Sequence, residues 1–368
     1  MQLGVVLDGR RSAAEIAELA KLAEENGIAH LWLSGGSRTK DHFLRLSLAA
    51  TQTKRIQLGP VAISPFEMHP VRIALSLLTL DEMAAGRASI VIGAGGDLAA
   101  TLGVPLNHRV RAVSETVDII HLLGRGDEVN YNGKSFQVNG LFSPWSRVKI
   151  PPLYIGANRP MMIRTAARKA DGIMATDMPL DLVANLVQQT RLALVDAGRD
   201  PSQFRMSNWF VWNLQETEDQ ARRQALRTIA FRLYYIKDIA PTIGLDEKEA
   251  LELQRKQAAM VRAIFEGKDP ESLPKHVADL LIEHLTISGS LSDLDRHIDR
   301  LRQFEKKGLN EMALFVQGDP VPAMKLLGQK VIPALNEKAS LSTSQFKLQI
   351  SSQTQRVTSR LSRIARVG

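Results

Sequence analysis

RIQLGPVAISPFEMHPVRIALSLLTLDEMAAGRASIVIGAGG, residues 55–96, decides how this chain folds. Ile56 to Ile63 is an apolar run of strand length, broken by Pro65. Pro70 can open a helix, because the first turn needs no amide hydrogen from it, and Gly86 can close that helix. Between them the apolar residues recur at helical spacing. ASIVIGAGG is then a second apolar run, ending in glycine. Strands without a polar face, joined by a helix, form the parallel β/α unit, because both faces of such a strand are covered.

The same unit recurs on either side. LGVVL (3–7) precedes SAAEIAELAKLAEENG (12–27), a helix with Ser12 as N-cap, Glu15 three residues on and Gly27 just past its end. IAHLWL (28–33) precedes a helix over about 41–53, and a helix near 114–123 follows the fourth strand. PPLYIGA (151–157) with MMIRTAARKA, and DGIMAT (171–176) with PLDLVANLVQQTRLALVDAG, supply units five and six. FRMSNWFVWNL (204–214) is the seventh strand, with a helix over about 217–236. The helix LSDLDRHIDRLRQFEKKG leads into EMALFVQ (311–317), the eighth strand. DEVNYNGKSFQV (127–138) breaks the rhythm, since Asn132-Gly133 between two alternating runs predicts a β-hairpin.

Eight such units predict an α/β fold, the (β/α)8 TIM barrel, with a β-hairpin excursion and a helical insertion (about 240–285) before the last strand. A doubly wound open sheet would need fewer strands. Gly93-Ala94-Gly95-Gly96 also lacks the dinucleotide fingerprint, because Leu98 stands at the later position. The expected domains are a barrel over 1–336 and a basic tail over 337–368.

Composition excludes several classes. There is no cysteine among 368 residues, hence no disulfide framework or thiolate chemistry. No run of about 18 apolar residues is present to cross a membrane. The N-terminus lacks the basic-then-apolar build of a signal peptide, so a cytoplasmic location is expected. The net charge of +8 could suit a polyanion. Much of it sits in the tail, at Lys347, Arg356, Arg360, Arg363 and Arg366, where Phe346 is the only aromatic residue available to stack on a base. A small-molecule substrate is therefore expected rather than a nucleic acid, with a homo-oligomer as the assembly.

In a barrel the chemistry lies at the strand C-termini. Here those are Leu7-Asp8, Ser34-Gly35-Gly36, Ala62-Ile63-Ser64, Gly93 to Asp97, Gly156-Ala157-Asn158, Ala175-Thr176-Asp177, Trp212-Asn213 and Gln317. Asp8, Asp97 and Asp177 are the only carboxylates among them. Neither metal-ligand spacing nor a Ser-His-Asp set can be assembled, so no metal is expected. A glycine-rimmed apolar pocket suits a planar cofactor that brings its own reactivity.

The opening stretch resembles the luciferase-like, flavin-dependent oxidoreductase superfamily. The likeness lies in its order: apolar strand, Pro-x-x-x-His-Pro, a helix closing in Leu-Asp-Glu with Gly-Arg, then a strand and Gly-x-Gly. IPPLYIGANRPMMIRTAARKADGIM is similar to that superfamily's fifth strand and phosphate loop. ETVDIIHLLGRGDEVNYNGKSFQV resembles its helix and hairpin, and ISGSLSDLDRHIDRL its late helix start. The matches run in order from Met1 to about Leu335, and the nearest branch is the methylenetetrahydromethanopterin reductase type.

That resemblance implies hydride transfer between a small organic substrate and the deazaflavin coenzyme F420. FMN is the alternative cofactor. An FMN-dependent monooxygenase and a non-catalytic flavin-binding barrel are the alternative functions. It also implies a non-prolyl cis peptide at Val61–Ala62, with Ile63 and Ser64 continuing the loop against the ring. Ser34, Gly95, Asp97 and Thr176 would line the cofactor. Gly156, Ala157, Asn158 and Arg159 would hold its phosphate at a helix start, where amide N–H groups are free. Arg159 either clamps that anionic tail or faces solvent. Asp81, Glu82 and Arg87 are expected in a structural turn, Asp171 in its loop, and His69 as a helix cap. His42 is a weaker site candidate. Trp32 and Trp209 are expected to pack, and Trp212 to line the ring pocket.

The second strand departs from the family. Deazaflavin members end it in an acid and a His, where this chain has Gly35 and Gly36, and Val6 replaces a Glu on strand one. General acid–base groups contribute about 10²–10⁴-fold, so the catalytic residues stay unassigned. The two glycines are expected to leave open space over the ring.

Overall fold

Strand and helix alternate from the first residues of the structure, a computed structural model that describes residues 1–36, 39–146, 148–269 and 273–337, without the side chains of Asp97 and Ala100. Apart from Glu337, the tail expected over 337–368 lies outside the described residues. The first half contains β1 (Gln2–Leu7), α1 (Ala13–Glu25), β2 (His30–Ser34), α2 (His42–Gln52), β3 (Gln57–Val61), α3 (Pro70–Met83) and β4 (Ile90–Ile92). Next come α4 (Asp97–Thr101), α5 (Arg109–Leu123) and a hairpin of β5 (Val129–Asn132) and β6 (Gln137–Leu141). The repeat resumes with β7 (Leu153–Gly156), α6 (Pro160–Lys169), β8 (Gly172–Thr176), α7 (Leu180–Asp196) and β9 (Arg205–Gln215). A helical stretch follows: α8 (Glu218–Ala230), α9 (Ile236–Ile243), α10 (Glu247–Phe265) and α11 (Lys275–Leu285). The chain then forms β10 (Thr286–Ser290), α12 (Leu294–Lys306), β11 (Glu311–Val316) and α13 (Pro320–Leu326).

The helix starts follow from local chemistry. Ser12 Oγ accepts from the Glu15 amide at 3.2 Å while Glu15 Oε2 accepts from the Ser12 amide at 2.8 Å, a complete capping box. Asp41 caps α2 through the Leu44 amide, and His69 Nδ1 caps α3 through the Val71 amide. The α5 helix begins five residues before its expected start. Arg109 and Arg111 of that first turn are exposed, so its apolar period starts only at Ala112.

Eight parallel strands run in the order β3-β2-β1-β11-β9-β8-β7-β4, and Leu58–Ala88 and Ile63–Ile92 bridges bring β4 back to β3. This is the TIM barrel. β10 was not anticipated: it is a five-residue strand that pairs with Val211–Gln215, beyond the end of β8. TISGS carries too little apolar pattern to announce it, and β9, at 11 residues, is long enough to outrun β8. The hairpin also differs from expectation. Asn132 pairs with Gln137 across a four-residue loop rather than turning at Asn132-Gly133. The Glu115 carboxylate on α5 accepts from the amides of Lys134, Ser135 and Phe136 at 2.9–3.0 Å. A Cβ on Gly133 would lie 2.4 Å from Glu115 Oε2, so glycine serves close approach here.

Side chains alternate along each strand. Val5, Leu31 and Ile155 face the helix layer, while Val6, Trp32, Val61, Val91, Tyr154, Met174, Trp209, Val211 and Ala313 pack within the barrel. Polar groups close its N-terminal end. The Tyr154 hydroxyl and the Arg205 guanidinium both donate to Glu311, at 2.9 and 3.1 Å, and Arg205 also donates to Gln57. His30 sits 2.6 Å from Ser89 Oγ and stacks on Trp32. Burial pushes the Glu311 carboxyl up, against the pull of Arg205. The open end is therefore the C-terminal one.

Arg87 and Asp81 are structural, as the sequence suggested. Arg87 donates to the carbonyls of Ala50, Thr53 and Ile56 and to Thr53 Oγ1, all within 2.9–3.0 Å. Asp81 accepts from the Ala88 amide at 2.9 Å. Lysine cannot reproduce that planar fork. Arg87→Lys is expected to lower stability by about 1–3 kcal/mol, read as a lower urea midpoint at unchanged m-value.

Candidate active site

Continuing the in-facing alternation to the strand ends brings one residue per strand to the barrel mouth. These are Asp8, Ser34, Val61, Gly93, Gly156, Thr176, Val211 and Phe315. Only Asp8 ionises. It accepts from the Arg10 amide and side chain at 2.9 Å; burial would raise its pKa, but the Arg10 hydrogen bonds outweigh this and leave it lowered. Ser34 Oγ donates to the Leu7 carbonyl at 3.0 Å, tying β2 to β1.

The β3 and β4 loops form the small-residue side of the mouth. The Val61–Ala62 peptide is cis. Ala62 is exposed between buried Val61 and Ile63, so it is the residue of this loop that reaches open space. Ile63 donates to the Val91 carbonyl, and the buried Ser64 accepts from the Phe66 amide, so both serve the wall. A Cβ on Gly93 would stand 2.9 Å from Ala62 Cβ. Gly95, at φ +91°, would bring a Cβ to 2.8 Å from Leu106 and 3.4 Å from Ser64 Oγ. The Asp97 backbone opens α4, and its side chain lies outside the described residues.

Gly156 ends β7, and buried Ala157 donates to the Met174 carbonyl. Asn158 clasps Thr176 in both directions, donating to its carbonyl and accepting from its amide at 2.9 Å. That clasp sets the loop at the N-terminus of α6, where unpaired amide N–H groups and the helix dipole favour an anion. Arg159 occupies the cap position without a side-chain cap bond, and its guanidinium pairs with Asp238 on α9. It is 76% exposed, so it faces solvent, with Asp238 as its partner.

Two positions correct the sequence reading. The space at Gly35 is filled, because a Cβ there would lie 2.0 Å from His42 Nε2, a buried nitrogen without a hydrogen-bond partner among the described residues. Burial first, and the charge of Arg45 second, lower His42 to about 4, so the ring is neutral above that pH. Trp212 is 1% exposed and packs in the helix-facing core, so it does not line the pocket. Its neighbour Trp209 faces the lumen and stacks on Phe315 at 4.8 Å. Strict alternation from Val211 would have distinguished the two.

Two further residues were not foreseen in their roles. Arg232, in the turn after α8, lies 4.1 Å above the Trp209 ring. Its Nε stands 2.7 Å from Asp177 Oδ2, although the N–H does not point squarely at the oxygen. Asp177 is fully buried at φ +47°, and burial raises it to about 6 against the opposing charge of Arg232. Among the described residues no cluster of three His, Asp or Glu side chains can hold a metal, and no helix is long and apolar enough to cross a membrane.

The arrangement can hold a flat, largely apolar molecule with an anionic end, and it offers little acid–base chemistry of its own. Comparison with known proteins agrees with the barrel. Residues 1–311 match the profile described as luciferase-like monooxygenase. The 5,10-methylenetetrahydromethanopterin reductase of Archaeoglobus fulgidus is 29% identical over 91% of this chain and 100% of its own length. The F420-dependent glucose-6-phosphate dehydrogenase of Nakamurella multipartita is 26% identical over 88% and 92%. The solved coenzyme F420 dependent tetrahydromethanopterin reductase from Methanopyrus kandleri superposes with a TM-score of 0.76, covering 91% of this chain and 99% of that one at 24% identity.

The Gly35–His42 contact yields two expectations. Gly35→Ala should cost about 1–3 kcal/mol through overpacking, and Gly35→Ala combined with His42→Ala should cost less than the sum of the two single changes. Because folding lowers the His42 pKa, its contribution is present above the ordinary histidine value of 6.5 and is lost as pH falls toward about 4. Denaturation between those pH values should therefore show a steeper loss of stability in wild type than in His42→Gln.

Proposed function

The chain belongs to the luciferase-like monooxygenase family, and on that premise we propose that it is an oxidoreductase moving a hydride between coenzyme F420 and a small organic substrate. The relatives named above support the deazaflavin, since two of them carry F420 in their names. The observation that carries the reading is the set of strand ends running from Ser34 through Ala62, Gly93 and Gly156 to Thr176. These residues are small and non-titratable, and exposed Ala62 stands beside Gly93 among them.

These residues fit a flat ring. Ser34, Ala62, Gly95 and Thr176 would hold it, while Gly156, Ala157, Asn158 and Arg159 at the start of α6 would receive its phosphate-bearing tail. The Val61 side chain and the wall residues Ile63 and Ser64 would support that surface from within, and Asp97, whose backbone opens α4, would join the same group. When bound, the deazaflavin supplies the ring that takes up or gives back the hydride. The chain contributes alignment and a dry floor, which is where much of the advantage in hydride transfer arises. Asp8 is engaged by Arg10 and His42 is neutral, so substrates whose reduction needs a strong protein acid are disfavoured.

Arg159 gives one terminal amino group to Asp238, and its other donors would favour a charged tail over a neutral one. Purified protein should be titrated with F420 and with FMN, reading absorbance and fluorescence. F420 is expected to bind at least about tenfold more tightly, a difference of about 1.4 kcal/mol. Tighter binding of FMN would move the assignment to a flavin monooxygenase, and binding of neither would sink the cofactor reading.

A further inference from the structure

The eight strand ends divide into two arcs. The proposed cofactor residues stand on β2, β3, β4, β7 and β8, which are consecutive around the ring. The remaining strands, β1, β11 and β9, are also consecutive; their mouth residues are Asp8, Phe315 and Val211, with Trp209 the next in-facing residue before Val211. Asp8 is occupied by Arg10. Besides Arg10, Arg232 is a cation among the described residues that lies over this second arc.

Two contacts hold that guanidinium in place. Its face lies on Trp209 at 4.1 Å, and Trp209 is itself backed by Phe315 at 4.8 Å. Its Nε edge faces the fully buried Asp177 carboxylate at 2.7 Å. The partly buried Tyr235 side chain adjoins the same carboxylate. Arg232 is only 19% exposed, yet its two terminal amino groups donate to no group among the described residues, and only Nε is enclosed. A stacked guanidinium anchored on one edge has already lost most of its rotamer freedom. Its outer edge then offers two parallel N–H donors at the spacing of two oxygens on one carbon or phosphorus.

We infer that Arg232 forms an oxyanion subsite at the barrel mouth, so that the substrate carries a carboxylate or phosphate and is held across from the cofactor arc. This rests on the cofactor placement proposed above, because it takes the β1–β11–β9 arc to be the substrate side. A bidentate anion on Arg232 would fix the substrate's orientation over the ring floor, which is what hydride transfer demands of a site poor in acids. Arg232 acts here as a specificity-determining residue and takes no part in proton movement.

The test is calorimetric titration of the full chain, without added cofactor, using succinate and, separately, inorganic phosphate. Wild type is expected to bind one of them saturably. Arg232→Met should weaken that anion by about tenfold or more, and Arg232→Lys, which keeps the charge and loses the fork, should fall between. F420 affinity of Arg232→Lys, which keeps a cation beside the buried Asp177, should stay within about twofold of wild type. Preference for succinate assigns a carboxylate substrate, and preference for phosphate a phosphorylated one. Equal anion affinity in wild type and both variants, or no saturable binding to wild type, would overturn the subsite and leave Arg232 as the counter-ion of Asp177. Anion binding that persists in a protein taking neither F420 nor FMN would fail the cofactor reading while supporting the subsite.

Discussion

Closure of the barrel depends on four backbone hydrogen bonds between β3 and β4. Leu58 donates to the Arg87 carbonyl and accepts from Ser89, and five residues later Ile63 donates to Val91 and accepts from Gly93. Between these pairs the ladder is interrupted, at Pro60, which has no amide hydrogen to give. Gly59 permits the approach, since a Cβ there would lie 2.6 Å from both the Ser89 carbonyl oxygen and the Trp32 ring. The cis Val61–Ala62 peptide sits in the same interruption, which turns Ala62 outward and returns Ile63 to the sheet. Seam and site wall are thus one structure. Arg87 anchors its lower end to the carbonyls of α2 and the following loop.

Polarity within the barrel is segregated along its axis. The N-terminal end is filled by Arg205, Glu311, Tyr154, Gln57, His30 and Ser89, hydrogen-bonded among themselves. Such a network has to be complete, because an unpaired buried polar group costs more than a paired one returns. Above it lies an apolar layer of Val6, Trp32, Val61, Val91 and Met174. Within the barrel interior, as far as the described residues go, the mouth is left for a ligand, and there Asp8 pairs with Arg10 and Asp177 with Arg232.

The helical stretch between β9 and β10 is joined to the mouth by charge. Arg232 reaches Asp177 at the end of β8, and Asp238 reaches Arg159 at the start of α6. The first pair is buried and the second exposed, so they differ in strength and in ease of exchange. A separate apolar cluster, including Ile229, Leu233, Ile236, Leu253 and Leu281, holds these helices together. The segment thereby shapes the mouth without contributing to the core of the barrel.

The alternation of strand and helix, the caps at Ser12 and His69, and the turn at Asp81 and Arg87 were legible because neighbours in sequence produce them. Residue type at a strand end was equally plain, so the poverty of acids at the mouth could be read directly. Contacts between distant residues could not. Glu115 lengthens a hairpin loop that Asn132-Gly133 alone would have tightened, and β10 exists because β9 outruns its partner. His42 fills the space beside Gly35, Trp209 takes the place expected of Trp212, and Arg159 finds a partner 79 residues away. The sequence by itself therefore determined the barrel and the character of its mouth, through local periodicity and residue type. The tertiary structure alone decided which side chains meet there, because those meetings depend on segments whose separation along the chain carries no periodic signal.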